Sequence, residues 1–428
     1  MDPLRRPKGM NDVLPADIAA WHRVEAAYAR TMRLHGYREI RTPHLESTAL
    51  FSRAVGETTD IVEKEMYSFV HHDDALTLRP EGTAGVARAF VENGMANKEP
   101  VSRLYYVGPM FRAERPQRGR YRQFFQAGAE IFGDAGPGCD AEMIDMLVGF
   151  LRQIGVADAR VYIGSIGSAG TRAKYKDALL AFLTPKKDGL GEDSQRRLAT
   201  NPLRILDSKH PKDREITEGA PAILDLLDDV DRAHFDGLRR LLDALGTPYE
   251  VDKKLVRGLD YYTRTLFEVK GATDQLGAGD TLVGGGSYDG MIADLGGPAT
   301  PAIGFAAGIA RLIIAAGETA AGPVVDTFVA PLGERGVEEG LRLAKELRDH
   351  GISCEVDTRG ASMKALLRRA NALGARVVLV VGDGEIEKKV ISVKDMAGHA
   401  QEEIARDIVV SVVVDRLAAA LGVRKEAS

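Results

Sequence analysis

Residues Leu104–Gly133 read LYYVGPMFRAERPQRGRYRQFFQAGAEIFG. The apolar-rich LYYVGPMF predicts a strand, Pro116 and Gly119 a loop, and QFFQAGAEIF a second strand with alternation in its later half. Between Arg112 and Arg122 stand five arginines against a single acid, Glu114. A guanidinium offers a rigid fork of donors and suits polyphosphate. Gln126 and Glu130 lie four apart on the second strand, so they share a face and can line a small polar pocket. The aromatics interleaved in RGRYRQF distinguish this hairpin from a merely solvated arginine-rich surface.

Around the hairpin the chain has 428 residues, enough for two or three domains, with 44% hydrophobic and 28% charged residues. No apolar run approaches the ~18 residues of a membrane span, and MDPLRRPKGMNDVLP lacks the apolar core of a signal peptide. Cys139 and Cys354 are the two cysteines and form no CxxC pair. That argues against a disulfide framework or a zinc site and fits a reducing cytoplasm. A net charge of −5 does not advertise a nucleic-acid binder, so such a partner would be met by local patches, the arginine hairpin first.

Taken in order, DIAAWHRVEAAYARTMRLHG (17–36) predicts a helix, and YREIRTPHLES a short strand stopped near Pro43. TLRP reads as a strand and GTAGVARAF as a helix capped by Gly82 or Thr83, which places Arg79, Glu81 and Thr83 at a strand-to-helix turn where ligands are readily held. DAEMIDMLVGFLRQI predicts a periodic helix and VYIGSIGS a strand. From about 173 to 245 the chain turns helical and charged, as an inserted subdomain. β character returns in VDKKLVRGLDYYTRTLFEVKGA. LVGGGSYDGMIADLGG reads as a glycine-rich hairpin or loop, and PAIGFAAGIARLIIAAG as a strand leading into a helix. Beyond Gly322–Pro323, strands alternate with helices, as in a small α/β domain. The boundaries expected are therefore 1–322 and 323–428.

Together the hairpin, RPEGT, RGLDYY, GGGSYDG and GFAAGIARL resemble the motifs of the histidyl-tRNA synthetases, which are class II aminoacyl-tRNA synthetases. TPHLES resembles class II motif 1, the hairpin motif 2 and GFAAGIARL motif 3. RGLDYYTRTLFEV and GGGSYDG resemble the two histidine-specific signatures. The resemblance implies an α+β fold: an antiparallel-sheet catalytic domain with a helical insertion, followed by an α/β anticodon-binding domain. It further implies a homodimer with motif 1 at the interface, and formation of histidyl-adenylate from ATP and L-histidine before transfer to the 3′ end of tRNA(His).

By that resemblance Arg112 holds the α-phosphate, Glu114 reads the adenine amino group, Phe124 stacks on the base, and Arg120 and Arg311 complete the ATP site. Arg257 is expected beside Arg112 as a catalytic group, stabilising charge at the α-phosphate. Histidine would be held by Glu81, Gly82, Thr83, Arg112, Gln126, Glu130, Arg257, Tyr261, Tyr262 and Tyr288. Acceptors such as Glu81, Thr83 and Gln126 suit its ammonium, and Glu130 suits a ring N–H. Adjacent tyrosines on a strand point to opposite faces, so one of Tyr261 and Tyr262 is expected at the ligand and the other in the packing. Arg115, Gln117 and Arg118 would meet tRNA, and Lys364, Arg368 and Arg369 form a possible basic face in the last domain. Magnesium is expected only with ATP, with no metal site of the protein's own.

Three positions depart from the family pattern. Ala310 stands where motif 3 has glutamate, Ser287 where the second signature has arginine, and Phe125 where histidine is common. The competing expectation is a synthetase-like, histidine-binding regulatory subunit of histidine biosynthesis, which would keep the fold without the reaction.

Overall fold

The computed structural model describes residues 3–421 except 57, 58, 209, 272–275, 277–279, 318–323 and 399. The chain divides into two compact units, Met1–Thr319 and Ala320–Ser428.

The first unit begins with α1 (Ile18–Leu34), β1 (Arg38–Glu39), β2 (Leu45–Ser47) and α2 (Thr48–Val55). After a π-helical turn (Ile61–Glu65) come β3 (Tyr67–His71), β4 (Asp74–Leu78) and α3 (Thr83–Glu92). The arginine hairpin is β5 (Ser102–Phe111) and β6 (Gln123–Phe132), followed by α4 (Pro137–Gln153) and β7 (Arg160–Gly167). The helical segment holds α5 (Ala169–Leu183), α6 (Glu192–Thr200), α7 (Pro211–Glu218) and α8 (Asp229–Leu245). Then come β8 (Glu250–Val251), β9 (Thr263–Lys270), β10 (Thr281–Ser287), α9 (Met291–Asp294), β11 (Ala302–Gly308) and α10 (Ile309–Ala316).

Eight of these strands form one sheet in the order β1-β5-β6-β11-β10-β9-β7-β8, antiparallel except at its two ends. Alternation sorts its residues into two faces. One face carries Ala127, Ala129, Ile131, Phe267, Val283, Ile303 and Phe305, and buries them against α1, α4 and α8. The other carries Gln126, Gly128 and Glu130 of β6 opposite Gly308, Ala306 and Gly304 of β11. Gly304 in turn pairs with Gly286, and Ala306 with Gly284, so much of this second face is bare backbone. The glycine triplet thus lies inside a central strand and not in a hairpin or loop, with a register shift only where Gly286 meets Ser287. A segment with few side chains looks like a turn in sequence; here it is the floor of a sheet.

The segment around Pro43 splits between two sheets. β1 joins the large sheet, while β2 pairs with β4 and β4 with β3 in a small antiparallel sheet. Helices α5 to α7 share a separate apolar cluster that includes Tyr175, Leu179, Leu198 and Ile205, whereas α8 packs behind the large sheet through Phe235, Leu238 and Leu242.

The second unit contains β12 (Thr327–Pro331), α11 (Gly333–Asp349), β13 (Cys354–Val356), α12 (Met363–Ala372), β14 (Val377–Val381), α13 (Asp383–Lys388), β15 (Val390–Asp395), β16 (Gln401–Ala405) and α14 (Val409–Leu421). Its sheet order is β13-β12-β14-β15-β16, parallel as far as β14 and antiparallel beyond. β16 was not legible in the sequence because QEEIA is polar, and all but one of its residues are exposed.

Behind the large sheet Tyr28 is fully buried, its ring edge-on to Tyr105, Phe150 and Phe305, and its hydroxyl has no hydrogen-bond partner among the described residues. A buried hydroxyl without a partner retains its desolvation penalty. Tyr28→Phe is therefore expected to raise stability by about 1 kcal/mol. Denaturant unfolding checks this; a loss of stability would show that the hydroxyl is satisfied.

Candidate active site

The glycine floor is bare enough for other side chains to lie flat across it. A Cβ on Gly304 would stand 1.6 Å from Oε2 of Glu130, and one on Gly284 would stand 1.7 Å from Nη2 of Arg257. The ring of Tyr106 occupies the space over Gly128 in the same way. Above this floor is a cavity of about 180 Å³ lined by Glu81, Thr83, Arg112, Gln126, Arg257, Tyr261, Tyr262 and Tyr288, with Gly284 and Gly304 at its base. Eight expected histidine-site residues, drawn from five separate segments, therefore converge on one cavity.

Two expected residues do not line it. Gly82 is the N-cap of α3, and a Cβ there would strike the Tyr106 ring at 2.2 Å. Glu130 lies at the base, wholly buried, accepting from the Thr83 hydroxyl at 2.8 Å and from the Tyr288 hydroxyl at 2.5 Å. Burial, opposed by those hydrogen bonds, pushes its carboxyl up to about 8. Glu81 accepts from the backbone N–H of Thr83 and Ala84 at 2.9 and 2.7 Å. It thereby satisfies the exposed donors at the start of α3, while burial raises its carboxyl above the ordinary range. Gln126 is 8% exposed, and its Oε1 has no partner among the described residues. A buried acceptor left open in a cavity wall is suited to a cationic ligand group.

Tyr261 and Tyr262 do not alternate on a strand. They sit in the turn before β9, and both line the cavity. The Tyr262 ring belongs to the core of the helical segment, whereas Tyr261 stacks edge-on against Tyr288 with 5.6 Å between ring centroids. Arg257 does not pair with Asp260. Its Nη1 donates to Glu268 at 3.0 Å, and Glu268 faces the cavity side of β9 beside Gly284. Sequence reading missed Glu268, whose signal was its place two residues from Leu266 and directly across from Gly284.

Toward the hairpin, Arg112 donates from Nε to the carbonyl of Pro80 at 2.8 Å, and its guanidinium lies 5.3 Å from the centre of the Phe124 ring. Arg112 thus bridges the cavity and the Phe124 surface. Arg311 donates from Nε to the carbonyl of Thr281 at 2.7 Å, and Gly119 of the hairpin loop packs against its stem. Burial holds its guanidinium below the ordinary value, with Arg120 acting in the same direction. Glu114 and Arg120 are half-buried in the loop, whereas Arg115, Gln117 and Arg118 are exposed there. Arg79 is framework: it donates to the carbonyls of Pro109 and Thr42 and does not reach the cavity. In the second unit Lys364, Arg368 and Arg369 share an exposed face of α12, with Arg369 paired to Glu355.

The departures fall away from the cavity. Phe125 faces the core and meets the Trp21 ring edge-on at 5.2 Å. Ser287 is fully buried and lines no part of the cavity. Ala310 lies half-buried in the first turn of α10. Among the described residues no cluster of three His, Cys, Asp or Glu side chains is placed to hold a metal ion, and no helix is long and apolar enough to cross a membrane.

Comparison with known proteins gives consistent relatives. The family model for histidyl-tRNA synthetase matches residues 9–312, and that for the anticodon binding domain matches 326–416. The Histidine–tRNA ligase of Sorangium cellulosum is 58% identical over 413 residues, 96% of each chain. The apo histidyl-tRNA synthetase of S. aureus superimposes with a TM-score of 0.82 at 35% identity, covering 96% of this chain and all of that one. A chain described as an ATP phosphoribosyltransferase regulatory subunit/histidyl-tRNA synthetase from Bacillus halodurans has TM-score 0.65 at 23% identity, covering 89% of this chain and 99% of that one, a likeness of fold alone.

With its carboxyl raised to about 8, Glu130 keeps a proton in the folded chain that the unfolded chain releases near its ordinary 4.5. The folded state is therefore favoured fully below about pH 4.5 and loses that advantage as pH rises through 8. Glu130→Gln removes the titration, so its thermal midpoint should gain on that of the unsubstituted chain between pH 5 and 9. Scanning calorimetry at both pH values checks this; a gap that does not change with pH would contradict it.

Proposed function

We infer function from one premise: the chain belongs to the histidyl-tRNA synthetase family. It is a histidine–tRNA ligase, an enzyme that activates L-histidine with ATP and transfers the histidyl group to tRNA. In the first step an oxygen of the histidine carboxylate attacks the α-phosphorus, and the bond to the departing oxygen of pyrophosphate breaks. In the second, a terminal ribose hydroxyl of the tRNA attacks the acyl carbon and AMP leaves.

We propose the following roles. Little covalent work falls to the protein, whose task is to align attacking and leaving groups and to balance negative charge. Arg112 and Arg257 lie on the same cavity and flank the α-phosphate, with Arg257 held on Glu268 until charge develops opposite it. The histidine ammonium is taken by the open Oε1 of Gln126, together with Glu81 and Thr83. The imidazole lies at the base, where Glu130 accepts from one ring nitrogen and a tyrosine hydroxyl serves the other. Phe124 offers the ring on which adenine stacks, Glu114 reads its amino group, and Arg120 and Arg311 hold the remaining phosphates. Magnesium enters as the ion of MgATP, coordinated chiefly by phosphate oxygens. Arg115, Gln117 and Arg118 meet the acceptor end of tRNA(His), and the second unit meets the anticodon. The working form is a cytoplasmic homodimer. In support, Phe69 and Val70 of the small sheet that carries the TPHLES segment are 46% and 71% exposed. The 1–322 and 323–428 division serves catalysis and tRNA reading respectively.

The observation that carries these roles is the convergence of Arg112, Gln126 and Arg257 on one glycine-floored cavity. ATP–pyrophosphate exchange that requires histidine, together with charging of tRNA, is the expected result. Histidine binding without exchange would instead favour the regulatory reading. Arg257→Ala should lower the exchange rate by about 10²–10³-fold, the usual effect of removing one charge-stabilising donor. An unchanged rate would remove Arg257 from the reaction.

A further inference from the structure

The Gly258–Tyr262 turn carries cavity residues yet belongs to no strand, so something outside the sheet must hold it. Three side chains of the inserted helical segment do so. Arg204, only 9% exposed, donates from Nη2 to the carbonyl of Gly258 at 2.7 Å and from Nε to Oδ1 of Asp260 at 3.3 Å. Asn201 donates to the same Oδ1 at 3.1 Å. Arg172 donates to the carbonyl of Tyr262 at 3.1 Å. The Asp260 carboxylate reaches this position because Gly56, at φ +101°, leaves room for it: a Cβ there would lie 3.0 Å from its Oδ2.

The same corner also holds the segment that leads into Ile61. Arg197, in α6, donates from Nη2 to both carboxylate oxygens of Asp60, at 3.2 and 3.1 Å. Asp60 immediately precedes Ile61, which also lines the cavity. Within eight residues, then, Arg197, Asn201 and Arg204 bind two neighbouring segments of the cavity wall from outside.

We propose that the α6 corner of the insertion is a strap that sets the width of the histidine cavity, with Arg204 as its principal positioning residue. A planar fork that bonds a carbonyl and a carboxylate at once fixes both the distance and the orientation of the turn. That turn carries Tyr261 and follows Arg257 directly, so its placement determines how closely the tyrosine wall and the guanidinium meet an amino acid. Arg204 and Asn201 bond the tyrosine turn alone, whereas the Asp60–Glu65 turn that Arg197 holds also meets the hairpin, the Ala113 N–H donating to the carbonyl of Glu65 at 2.8 Å. Through Arg204 the strap therefore acts first on the tyrosine wall that meets the amino acid.

This inference rests on the cavity being the histidine site, and the test separates the two. Histidine-dependent exchange by the unsubstituted chain must first be observed; its absence would overturn the functional reading. Arg204→Lys keeps the cation but cannot reproduce the fork. It is expected to raise KM for histidine at least tenfold, to leave KM for ATP within twofold, and to melt close to the unsubstituted chain. Arg197→Ala removes a part-buried ion pair at the turn before Ile61, and its melting temperature is measured beside its kinetics. It should raise KM for histidine about threefold. Unchanged KM for histidine in both variants, or equal changes for histidine and ATP, would overturn the strap.

Discussion

The site depends on how closely side chains can approach bare backbone in the middle of an antiparallel sheet. Directly opposed residues on one face have Cβ atoms about 5 Å apart, so a glutamate can lie down over its neighbour only if that neighbour is glycine. Glu130 does so over Gly304, Tyr106 over Gly128 and Arg257 over Gly284. Close approach, more than freedom in φ, is what these glycines supply. The opposite face of the same strands is filled by Ala129, Phe305, Phe267 and Val283, which anchor the floor on three helices. One sheet is thus a packed core on one side and a polar cradle on the other.

Inside the cradle the electrostatics are arranged in advance. Two carboxyls, Glu81 and Glu130, are buried here, and two guanidiniums, Arg112 and Arg257, line the same cavity as Glu81. Desolvation raises both carboxyls, and hydroxyl and amide donors hold them in place. The proposed roles set the amino acid's ammonium toward Glu81 and Gln126 and its carboxylate toward the arginines. Interactions of this strength require little water, and a cavity of about 180 Å³ leaves little room for it beside a ligand.

Much of this was legible in the chain. Alternation in QFFQAGAEIF placed Gln126 and Glu130 on one face, and the structure keeps them there. Capping chemistry located Gly82 at the start of a helix, although its neighbour Glu81 makes the hydrogen bonds. What failed did so where tertiary context overrides local pattern. GGGS looked like a turn because glycines usually mark one, but these are spaced for other side chains to cover. Tyr261 and Tyr262 looked like strand neighbours, but the turn preceding β9 brings both to one cavity. Asp260, three residues on, is the acid nearest to Arg257 in the sequence. Asp260 is drawn instead to Arg204, fifty-six positions earlier, and Arg257 to Glu268, eleven later. Long-range pairing of this kind leaves no local trace.

Selectivity for an imidazole over a ring of similar size is the most direct measure of whether Glu130 and the tyrosines read the ligand. In ATP–pyrophosphate exchange, kcat/KM for L-histidine should be compared with that for β-(2-thienyl)alanine, whose five-membered ring has no N–H. A site built from buried polar partners rejects such an analogue by about 10⁴–10⁵-fold, because its own groups are left unpaired. A ratio in that range is the result expected of this cavity. A ratio below about 10²-fold, the level that apolar fit alone achieves, would contradict a polar reading of the ring.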